Sequence, residues 1–273
     1  MKHAWLIIAH NEWGILQRLV SELDATECDF FVHIDKKVQS LPVLNVEKSR
    51  LFMLENRVDV RWGSVSQIQC EMTLFETAAA NGPYDYYHVI SGVTLPLKPL
   101  AELDAFYQAA EGKSVFTGLR VDDPYQENLK VHRQHYFLRH YCSRNRLVRW
   151  VSQHLWSLCL AFQRKRGMTV NQGLSFYKAS NWLSLTEEAI QYILGRKDKI
   201  WEIYQRSFCG DEFFVPSELM NSPLKEHILS YEQYLLQKMG RATTTAFPLE
   251  EYEAMKSSGY LFARKFTEKV TKQ

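Results

Sequence analysis

The sequence has few cysteines and none of the spacings that bind zinc or build a disulfide framework. Its five cysteines are an odd number spread over 273 residues, with no CxxC pair and no Cys/His cluster. Most of them lie inside apolar runs, which is typical of reduced, buried thiols in a reducing compartment. We therefore expect neither a cysteine-based metal centre nor a disulfide-stapled secreted domain.

Long hydrophobic runs are also missing. The N-terminal run HAWLIIAH is too short for a signal peptide or a membrane-spanning helix, and no other segment reaches the required length. These absences predict a soluble protein that acts in the cytoplasm. They leave open a peripheral contact with the inner face of a membrane.

Neither sign of charge is in clear excess, because 33 lysines and arginines stand against 31 acidic residues. A net charge of +2 argues against a nucleic-acid partner, and any anion site must be built locally. The sequence also shows no internal repeat, low-complexity tract or linker. With 46% hydrophobic residues it can bury a large core, so a single domain over 1–273 is predicted.

What the sequence does contain is an alternation of buried strands and amphipathic helices. Apolar runs predict strands at 3–9, 28–34, 51–55, 86–91, 114–119 and 173–178. Helical spacing predicts helices at 13–23, 65–80 and 100–110, with two more from Thr186 and from Lys199. This order predicts an α/β fold with a mostly parallel, Rossmann-type sheet and helices on both faces.

Polar side chains follow the first two predicted strands. His10, Asn11 and Glu12 come after strand 3–9, and Asp35 comes after strand 28–34. The carboxyl ends of parallel strands meet at one sheet edge, where such sheets bind their ligands. A carboxylate there can accept hydrogen bonds from a ribose or a uracil imide. The alternative is that these residues only end their strands, as polar residues do in many sheet proteins.

A second candidate is the segment GDEFF, in which Asp211 and Glu212 precede two phenylalanines. A carboxyl group beside aromatic bulk is partly desolvated, which raises its pKa toward the range of a general base. The alternative is an ordinary acidic helix start, with Asp211 as the capping residue.

Two adjacent cations, Arg264 and Lys265, lie between apolar anchors in the segment LFARKF. A fixed arginine and lysine suit a diphosphate, and Arg241 is a third candidate for the same anion. No two aspartates stand two residues apart, so the Asp-x-Asp pair that holds a divalent cation against a diphosphate is missing. Protein cations would then neutralise the anion. The alternative for LFARKF is an edge strand with solvated charges.

Seven segments, taken in order, resemble the motifs of the core-2/I-branching glycosyltransferases. This family includes β-1,6-N-acetylglucosaminyltransferases and peptide O-xylosyltransferases. The segments are IIAHNE, HIDKK, RWGSVSQIQ, YDYYHVISGVTLPLKP, SNWLSLT, DEFF and LFARKF. The resemblance covers nearly the whole chain.

The resemblance implies a GT-A-like fold and an inverting transfer from a UDP-sugar, without a metal ion or other cofactor. Glu212 would stand at the family's catalytic glutamate and Asp35 at its nucleoside contact. Arg264 and Lys265 would stand at its diphosphate contact, and Arg241 lies in the segment that carries a further diphosphate arginine. Residues 1–120 would form the nucleotide-binding half. Residues 121–273 would form the acceptor and diphosphate half, with a basic helical insert at about 124–168.

Four further substrate-binding candidates are His10, Trp62, Asn181 and Trp182, of which Trp62 is a candidate by similarity to the family. The segment 179–182 departs from the family's usual residues at positions that lie toward the sugar and the acceptor. These departures concern the identity of both substrates more than the reaction type.

Thr94, where family members commonly have Asp, and the surroundings of Tyr234 depart from the family in the same way. GlcNAc is the expected sugar, and a glycan or lipid-linked glycan in surface polysaccharide synthesis is the expected acceptor. A peptide O-xylosyltransferase-like enzyme and a non-catalytic sugar-nucleotide-binding protein are the alternatives.

The stretch 124–168 interleaves basic and aromatic residues. It is either a solvated helical face beside a core stripe or a peripheral surface for anionic lipid or a lipid-diphosphate-linked acceptor. His88, on the strand 86–91, is expected to be a hydrogen-bonded core histidine rather than a metal ligand.

Overall fold

The structure, a computed structural model, describes residues 1–121, 129–239 and 244–268. Arg241, the third candidate for the diphosphate, lies outside these ranges. Within them, no helix combines the length and the hydrophobicity that crossing a membrane requires.

The chain alternates strands and helices through its first half and becomes more irregular in its second. The strands are β1 His3–Ala9, β2 Cys28–Ile34, β3 Arg50–Met53, β4 Tyr86–Ser91, β5 Thr94–Pro96, β6 Ser114–Phe116, β7 Arg120–Val121, β8 Tyr177–Lys178, β9 Leu183–Thr186, β10 Ile228–Ser230, β11 Leu235–Met239, β12 Thr244–Thr245, β13 Phe247–Pro248, β14 Phe262–Arg264 and β15 Phe266–Thr267. The helices are α1 Trp13–Glu22, α2 Ser66–Ala79, α3 Leu100–Ala109, α4 Leu129–His132, α5 Arg146–Lys165, α6 Glu187–Gly195, α7 Lys197–Tyr204, α8 Phe214–Met220 and α9 Tyr252–Met255. Short 3₁₀ turns include Leu138–His140, Gly210–Glu212 and Glu232–Tyr234.

Seven strands form the central sheet in the order β10-β6-β9-β4-β1-β2-β3. β1 pairs in parallel with β2 and β4, β2 with β3, and β6 with β10. Only β9 runs antiparallel to its neighbours, β4 and β6, in this sheet as described. The sheet is therefore mostly parallel.

Helices cover both faces of this sheet because β1 and β2 are apolar on both sides. Leu6 and Ile7, adjacent on β1, belong to different core clusters. The Ile7 side includes residues of α1 and α3, such as Leu103, and the Leu6 side includes residues of α2, α6 and α8, such as Phe75. This arrangement confirms the predicted α/β class with helices on both faces.

A smaller sheet, in the order β12-β11-β14-β5, carries the LFARKF segment. β14 pairs antiparallel with β5, which places Arg264 opposite Thr94. β14 is an inner strand of this sheet, so the edge-strand alternative for LFARKF is wrong. The pairing brings the two cations to the loop that leaves β4 of the central sheet.

Several predicted boundaries differ from the structure. In the segment after Ser91 the residues Gly92, Pro96 and Pro99 indicate a loop, but the segment contains β5, because β14 supplies a pairing partner from far along the chain. The strands predicted at 114–119 and 173–178 are shorter, since Gly118 and Gly173 adopt positive φ angles of 67° and 78° that interrupt extended backbone. The helix predicted from Lys199 begins at Lys197.

The basic insert predicted at about 124–168 is only partly helical. Residues 122–128 lie outside the described ranges, and from 129 to 168 the α-helices are α4 and α5, with a 3₁₀ turn at 138–140 between them. The connecting chain is tied to other parts of the fold instead: the N–H of His135 donates to the carbonyl of Arg206, at 2.8 Å.

Candidate active site

A cavity of about 510 Å³ opens at the carboxyl ends of β1, β2 and β4. Six of the side chains singled out in the sequence line it: His10, Asp35, Trp62, Trp182, Arg264 and Lys265. The parallel pairing of β1 with β2 and β4 explains why residues from distant motifs meet here, since each strand delivers its following loop to the same edge. A cavity of this size suits a small organic ligand.

Asp35 forms one wall of the cavity directly after β2. Its main-chain N–H donates to the carbonyl of Ala9 at 2.9 Å, which fixes the loop against β1. Its buried carboxylate accepts hydrogen bonds from the N–H and the Nζ of Lys37, at 2.9 and 2.6 Å. Lys37 also reaches Asp59, at 3.1 Å, so the acid belongs to a small ionic network.

Arg264 also lines the cavity and is 9% exposed. Its Nε donates to the Ser91 hydroxyl at 3.2 Å, and its Cζ lies 4.4 Å from the centre of the Trp182 ring. Within the described residues, no carboxylate lies within ion-pair distance of this guanidinium. Burial lowers the pKa of Arg264 to about 10, so the group still carries its charge at neutral pH.

Lys265 adds a second, half-buried cation beside the first. Burial, and secondarily the charge of Arg264, lower the pKa of the Lys265 ammonium. The strand that follows is held by Glu12, whose carboxylate accepts hydrogen bonds from the Thr267 hydroxyl at 3.0 Å and from the Glu268 N–H at 3.1 Å. Glu12 thereby fixes the cationic segment to the loop after β1.

Gly92 allows the loop after β4 to approach the end of β1. A Cβ at this position would lie 2.5 Å from the Cβ of Ala9. Only glycine fits such a close approach without moving the loop. The lining of the cavity therefore depends at this point on a residue without a side chain.

Glu212, the candidate base, does not line the cavity itself. Its Oε2 lies 3.2 Å from Nζ of Lys178 and 3.4 Å from Nζ of Lys130, and the side chain is one-third exposed. The two ammonium groups orient the carboxylate. Glu212 follows Asp211, which accepts a hydrogen bond at 2.7 Å from Gln67, a residue of the cavity wall.

Asp211, which precedes Glu212, and Glu71 are two buried acids that influence each other. Burial raises the pKa of Asp211 to about 7, and the neighbouring charge of Glu212 contributes further. Burial also raises the pKa of Glu71 well above its ordinary value, with Asp211 adding to the effect and a hydrogen bond from Asn181 opposing it. Asp211 caps neither of the helices around it, so the capping alternative is wrong.

The segment 179–182 connects the candidate base to the candidate cations. The N–H of Ala179 donates to the Glu212 carbonyl at 3.1 Å. Three residues later, the ring of Trp182 packs against the Arg264 guanidinium. Three residue steps of chain span at most about 11 Å. The backbone of Glu212 and the stacked Arg264 therefore contact opposite ends of one short segment.

Residues 3–236 match the family model described as Core-2/I-Branching enzyme. The chain belongs to the core-2/I-branching enzyme family. This confirms the family predicted from its motifs and the prediction of an enzyme of this glycosyltransferase class. A search of curated proteins gave no match.

Among solved structures, the crystal structure of S. aureus TarS 1-349 in complex with UDP is similar at a TM-score of 0.31 and 13% sequence identity. The match covers 50% of this chain and 40% of that chain. This chain thus matches less than half of the length of TarS 1-349.

The motifs of the core-2/I-branching family do not all meet in the cavity. Asn181 contacts the buried Glu71 rather than the cavity, and Arg241 is outside the described residues. Within the described residues, no three His, Cys, Asp or Glu side chains cluster as metal ligands do. Whether the reaction is independent of metal stays a prediction.

Sequence reasoning missed several residues that the fold brings to the site. Lys130 and Lys178 reach Glu212 from outside the family motifs, and nothing in their local sequence indicates this role. Gln67 and Glu71 both lie on α2, whose start overlaps the segment RWGSVSQIQ. Their spacing of four residues places them on one face of this helix. That spacing was the one available signal.

Proposed function

We propose that the enzyme is an inverting, metal-independent glycosyltransferase with a GT-A-like fold. It would move a sugar, GlcNAc in the first instance, from a UDP-sugar to a hydroxyl of a glycan or lipid-linked glycan acceptor. The product would be a β-linkage in a surface polysaccharide made at the cytoplasmic side of the membrane. The observation that carries the proposal is one cavity with Asp35 on one wall and the Arg264–Lys265 pair on another.

The charges of the cavity support a diphosphate ligand. A buried cation without a counter-ion is costly, and Arg264 has no carboxylate partner within the described residues. A diphosphate would supply the missing negative charge and accept the fork of guanidinium hydrogen bonds. Lys265 adds a second positive charge, which helps to balance the several negative charges of a diphosphate.

Asp35 supports a nucleoside at the other end of the same ligand. Its carboxylate is held in place by Lys37 and can still accept hydrogen bonds from a ribose hydroxyl or a uracil imide. The nucleoside would then lie along the ends of β1 and β2. The diphosphate would point toward Arg264, and the sugar toward Trp182 and the segment that leads to Glu212.

The proposed chemistry needs one base and one electrostatic clamp. Glu212 would take the proton of the acceptor hydroxyl as its oxygen attacks the anomeric carbon from the face opposite UDP. The bond to the UDP oxygen would break as the new bond forms, which inverts the configuration. Arg264 and Lys265 would stabilise the charge that grows on the leaving diphosphate.

A donor screen tests the substrate and the metal requirement. Purified enzyme is assayed for UDP release from UDP-GlcNAc, UDP-xylose, UDP-galactose and UDP-glucose, with and without EDTA. We expect the fastest release with UDP-GlcNAc and the same rate in EDTA. Activity that EDTA abolishes and Mg²⁺ or Mn²⁺ restores would contradict metal independence, and a faster rate with UDP-xylose would reassign the donor.

The role of Glu212 is tested by comparing two neighbouring acids. Glu212→Gln should lower kcat roughly 10²- to 10⁴-fold, while UDP affinity stays within about threefold of wild type. Asp211→Asn is the matched variant, since its amide oxygen can still accept the hydrogen bond from Gln67. We expect Asp211→Asn to lose less than tenfold in kcat. Near-normal transfer by Glu212→Gln would remove Glu212 from the mechanism.

A further inference from the structure

Side-chain hydrogen bonds help to hold the inner face of the helix α5 to the protein, where Ser152, Leu160 and Gln163 are buried. Ser152 donates to the carbonyl of Phe137, and Gln163 donates to the carbonyl of Gln134 at 2.8 Å. The indole N–H of Trp156 donates to a ring nitrogen of His135 at 3.0 Å. Side-chain hydrogen bonds therefore fix the inner face of this 20-residue helix.

The outer face of α5 is apolar. An exposed apolar stripe runs along it at spacings of four, four, three and four residues, which is one side of an α-helix. Its members are Leu147, Val151, Leu155, Leu158 and Phe162, which are 69%, 41%, 38%, 66% and 55% exposed. Trp150 borders the stripe and is 56% exposed. Large apolar side chains are therefore exposed on a face where a surface helix ordinarily carries polar ones.

Positive charge surrounds this stripe. Residues 128–186 contain ten of the 33 lysines and arginines and none of the 31 acidic residues, which leaves the rest of the chain with a net charge of −8. Exposed arginines stand before and at the start of the helix, and three more cations stand at its end. They are Arg139, Arg144, Arg146, Arg149, Arg164, Lys165 and Arg166.

We propose that the apolar stripe and its basic border bind the surface of an anionic phospholipid bilayer, with α5 lying in the plane of the headgroups. Apolar side chains that enter the acyl boundary, flanked by arginines at headgroup level and by Trp150, are the composition of an interfacial helix. Anionic headgroups complement a border that has no acid of its own. A second copy of this chain is a poorer occupant, because a two-fold contact would place the same cations against each other.

The inner side of α5 links this surface to the candidate active site. The ring of Trp156 contacts Tyr141 and Phe208, with centroids 5.2 and 5.7 Å away. Both of these rings contact Trp62 of the cavity wall, at 6.1 and 5.4 Å. One layer of aromatic side chains thus separates the membrane-facing helix from the cavity, so bound enzyme would present the cavity close to the bilayer.

Vesicle sedimentation tests the proposal directly. The full chain is mixed with two kinds of vesicle, at low and at physiological salt. One kind is phosphatidylcholine alone, and in the other phosphatidylglycerol makes up about one-third of the lipid. We expect the protein to pellet with the anionic vesicles and to stay in solution with the neutral ones. The bound fraction should fall as salt rises, because the arginines contribute through screened attraction.

Two sets of variants separate the apolar and the charged parts. Leu147→Gln with Leu158→Gln should weaken binding to anionic vesicles at least about tenfold, through loss of buried apolar area. Arg144→Gln, Arg146→Gln and Arg149→Gln together should weaken it on the order of 100-fold. Trp201→Gln, at another exposed apolar position on α7, is the matched control and should bind as wild type does. Thermal unfolding of each variant shows whether it is folded.

Three results would overturn the proposal. The first is equal recovery in the supernatant with neutral and anionic vesicles. The second is pelleting that the α5 variants do not change although they fold. The third is a concentration-dependent dimer in sedimentation velocity that Leu147→Gln with Leu158→Gln dissolves, since the stripe would then be a contact between copies.

Discussion

The guanidinium of Arg264 stacks on the indole of Trp182, with 4.4 Å between Cζ and the ring centre. Two of the family's motifs, SNWLSLT and LFARKF, meet in this contact although Trp182 and Arg264 are 82 positions apart in sequence. The ring covers a cation that has no carboxylate partner within the described residues. Trp182 therefore positions the positive charge on which nucleotide binding is proposed to depend.

We expect replacement of Trp182 to weaken UDP binding according to how much of the ring face is lost. A desolvated cation–π contact contributes about 2 kcal/mol, so Trp182→Leu should lower UDP affinity on the order of tenfold. Trp182→Phe keeps an aromatic face and should stay within about threefold. Isothermal titration with UDP measures both variants. Wild-type affinity in Trp182→Leu would show that the stack is not needed to position Arg264.

Removal of the Arg264 charge should affect the free and the UDP-bound protein differently. In Arg264→Met the free energy of unfolding without ligand should stay within about 1 kcal/mol of wild type or rise, because an unpaired buried cation is lost. The increase in Tm that UDP produces in wild type should disappear. Denaturant unfolding and thermal scans, each with and without UDP, measure the two effects.

Arg196→Met is the control for this comparison. Arg196 donates to the buried carboxylate of Glu218, so its removal leaves that acid unpaired. The free energy of unfolding should then fall by about 2–3 kcal/mol while the effect of UDP on Tm persists. A fall of this size in Arg264→Met as well would mean that Arg264 is a structural residue.

Asp211 should make the stability of the protein depend on pH between about 4 and 7. Its pKa of about 7 in the folded protein lies above the ordinary 3.8, so the folded state holds the proton more tightly than the unfolded chain. Its contribution to stability is fully present below pH 3.8 and is lost as pH rises through 7. The charges that influence it are those of Glu71, Glu212, Lys130 and Lys178.

Asp211→Asn mimics the protonated acid at all pH values and removes this dependence. The free energy of unfolding of the variant should rise relative to wild type between pH 4 and pH 7, by on the order of 3 kcal/mol, and the difference should be constant above about pH 8. Urea unfolding of both proteins across this range measures it. A difference that does not change with pH would show that Asp211 ionises normally in the folded protein.

His88 should make the protein sensitive to acid. The ring is fully buried and hydrogen bonds to His3 at 2.8 Å and to Ser184 at 2.7 Å, as expected for a core histidine. Burial lowers the pKa of His3, and lowers that of His88 well below 6.5. The unfolded chain therefore takes up protons first, and stability present above pH 6.5 is lost as the pH falls below it.

His88→Gln keeps two hydrogen-bonding groups and removes one titrating ring. Between pH 6.5 and 5 the free energy of unfolding should fall less steeply than in wild type, by up to about 1.4 kcal/mol per pH unit. His227→Gln, at a surface position, serves as the control and should leave the slope unchanged. Identical slopes in His88→Gln and wild type would assign the acid sensitivity to other groups.

The central sheet could be predicted from sequence because its strands are signalled locally. The runs 3–9, 28–34 and 86–91 coincide with β1, β2 and β4, since every residue in them is apolar or buried against a helix layer. The strands β5 and β14 could not be predicted in the same way. Pro96 and Gly92 indicate a loop, and the pairing that makes Thr94–Pro96 a strand comes from Phe262–Arg264.

The candidate site likewise combines residues that the local sequence predicts with residues that only tertiary pairing brings in. Asp35 and His10 could be placed in the cavity because a parallel sheet brings its strand ends together. The two cations could be proposed from their residue types, but their meeting with Ser91 and Trp182 depends on tertiary pairing. Nothing near Lys178 in sequence indicates that it faces Glu212. Contacts of this kind arise from the fold and leave no periodic signal in the chain.

The contacts that complete the cavity also have a kinetic consequence. Arg264 reaches Ser91 across 173 residues, and Thr267 reaches Glu12 across 255. Closing loops of this length costs chain entropy before any contact compensates it, so these hydrogen bonds should form late in folding, after β1 and β4 have paired. A nucleotide would therefore bind only to molecules in which these late contacts have formed. Nucleotide binding would then report on the completion of folding.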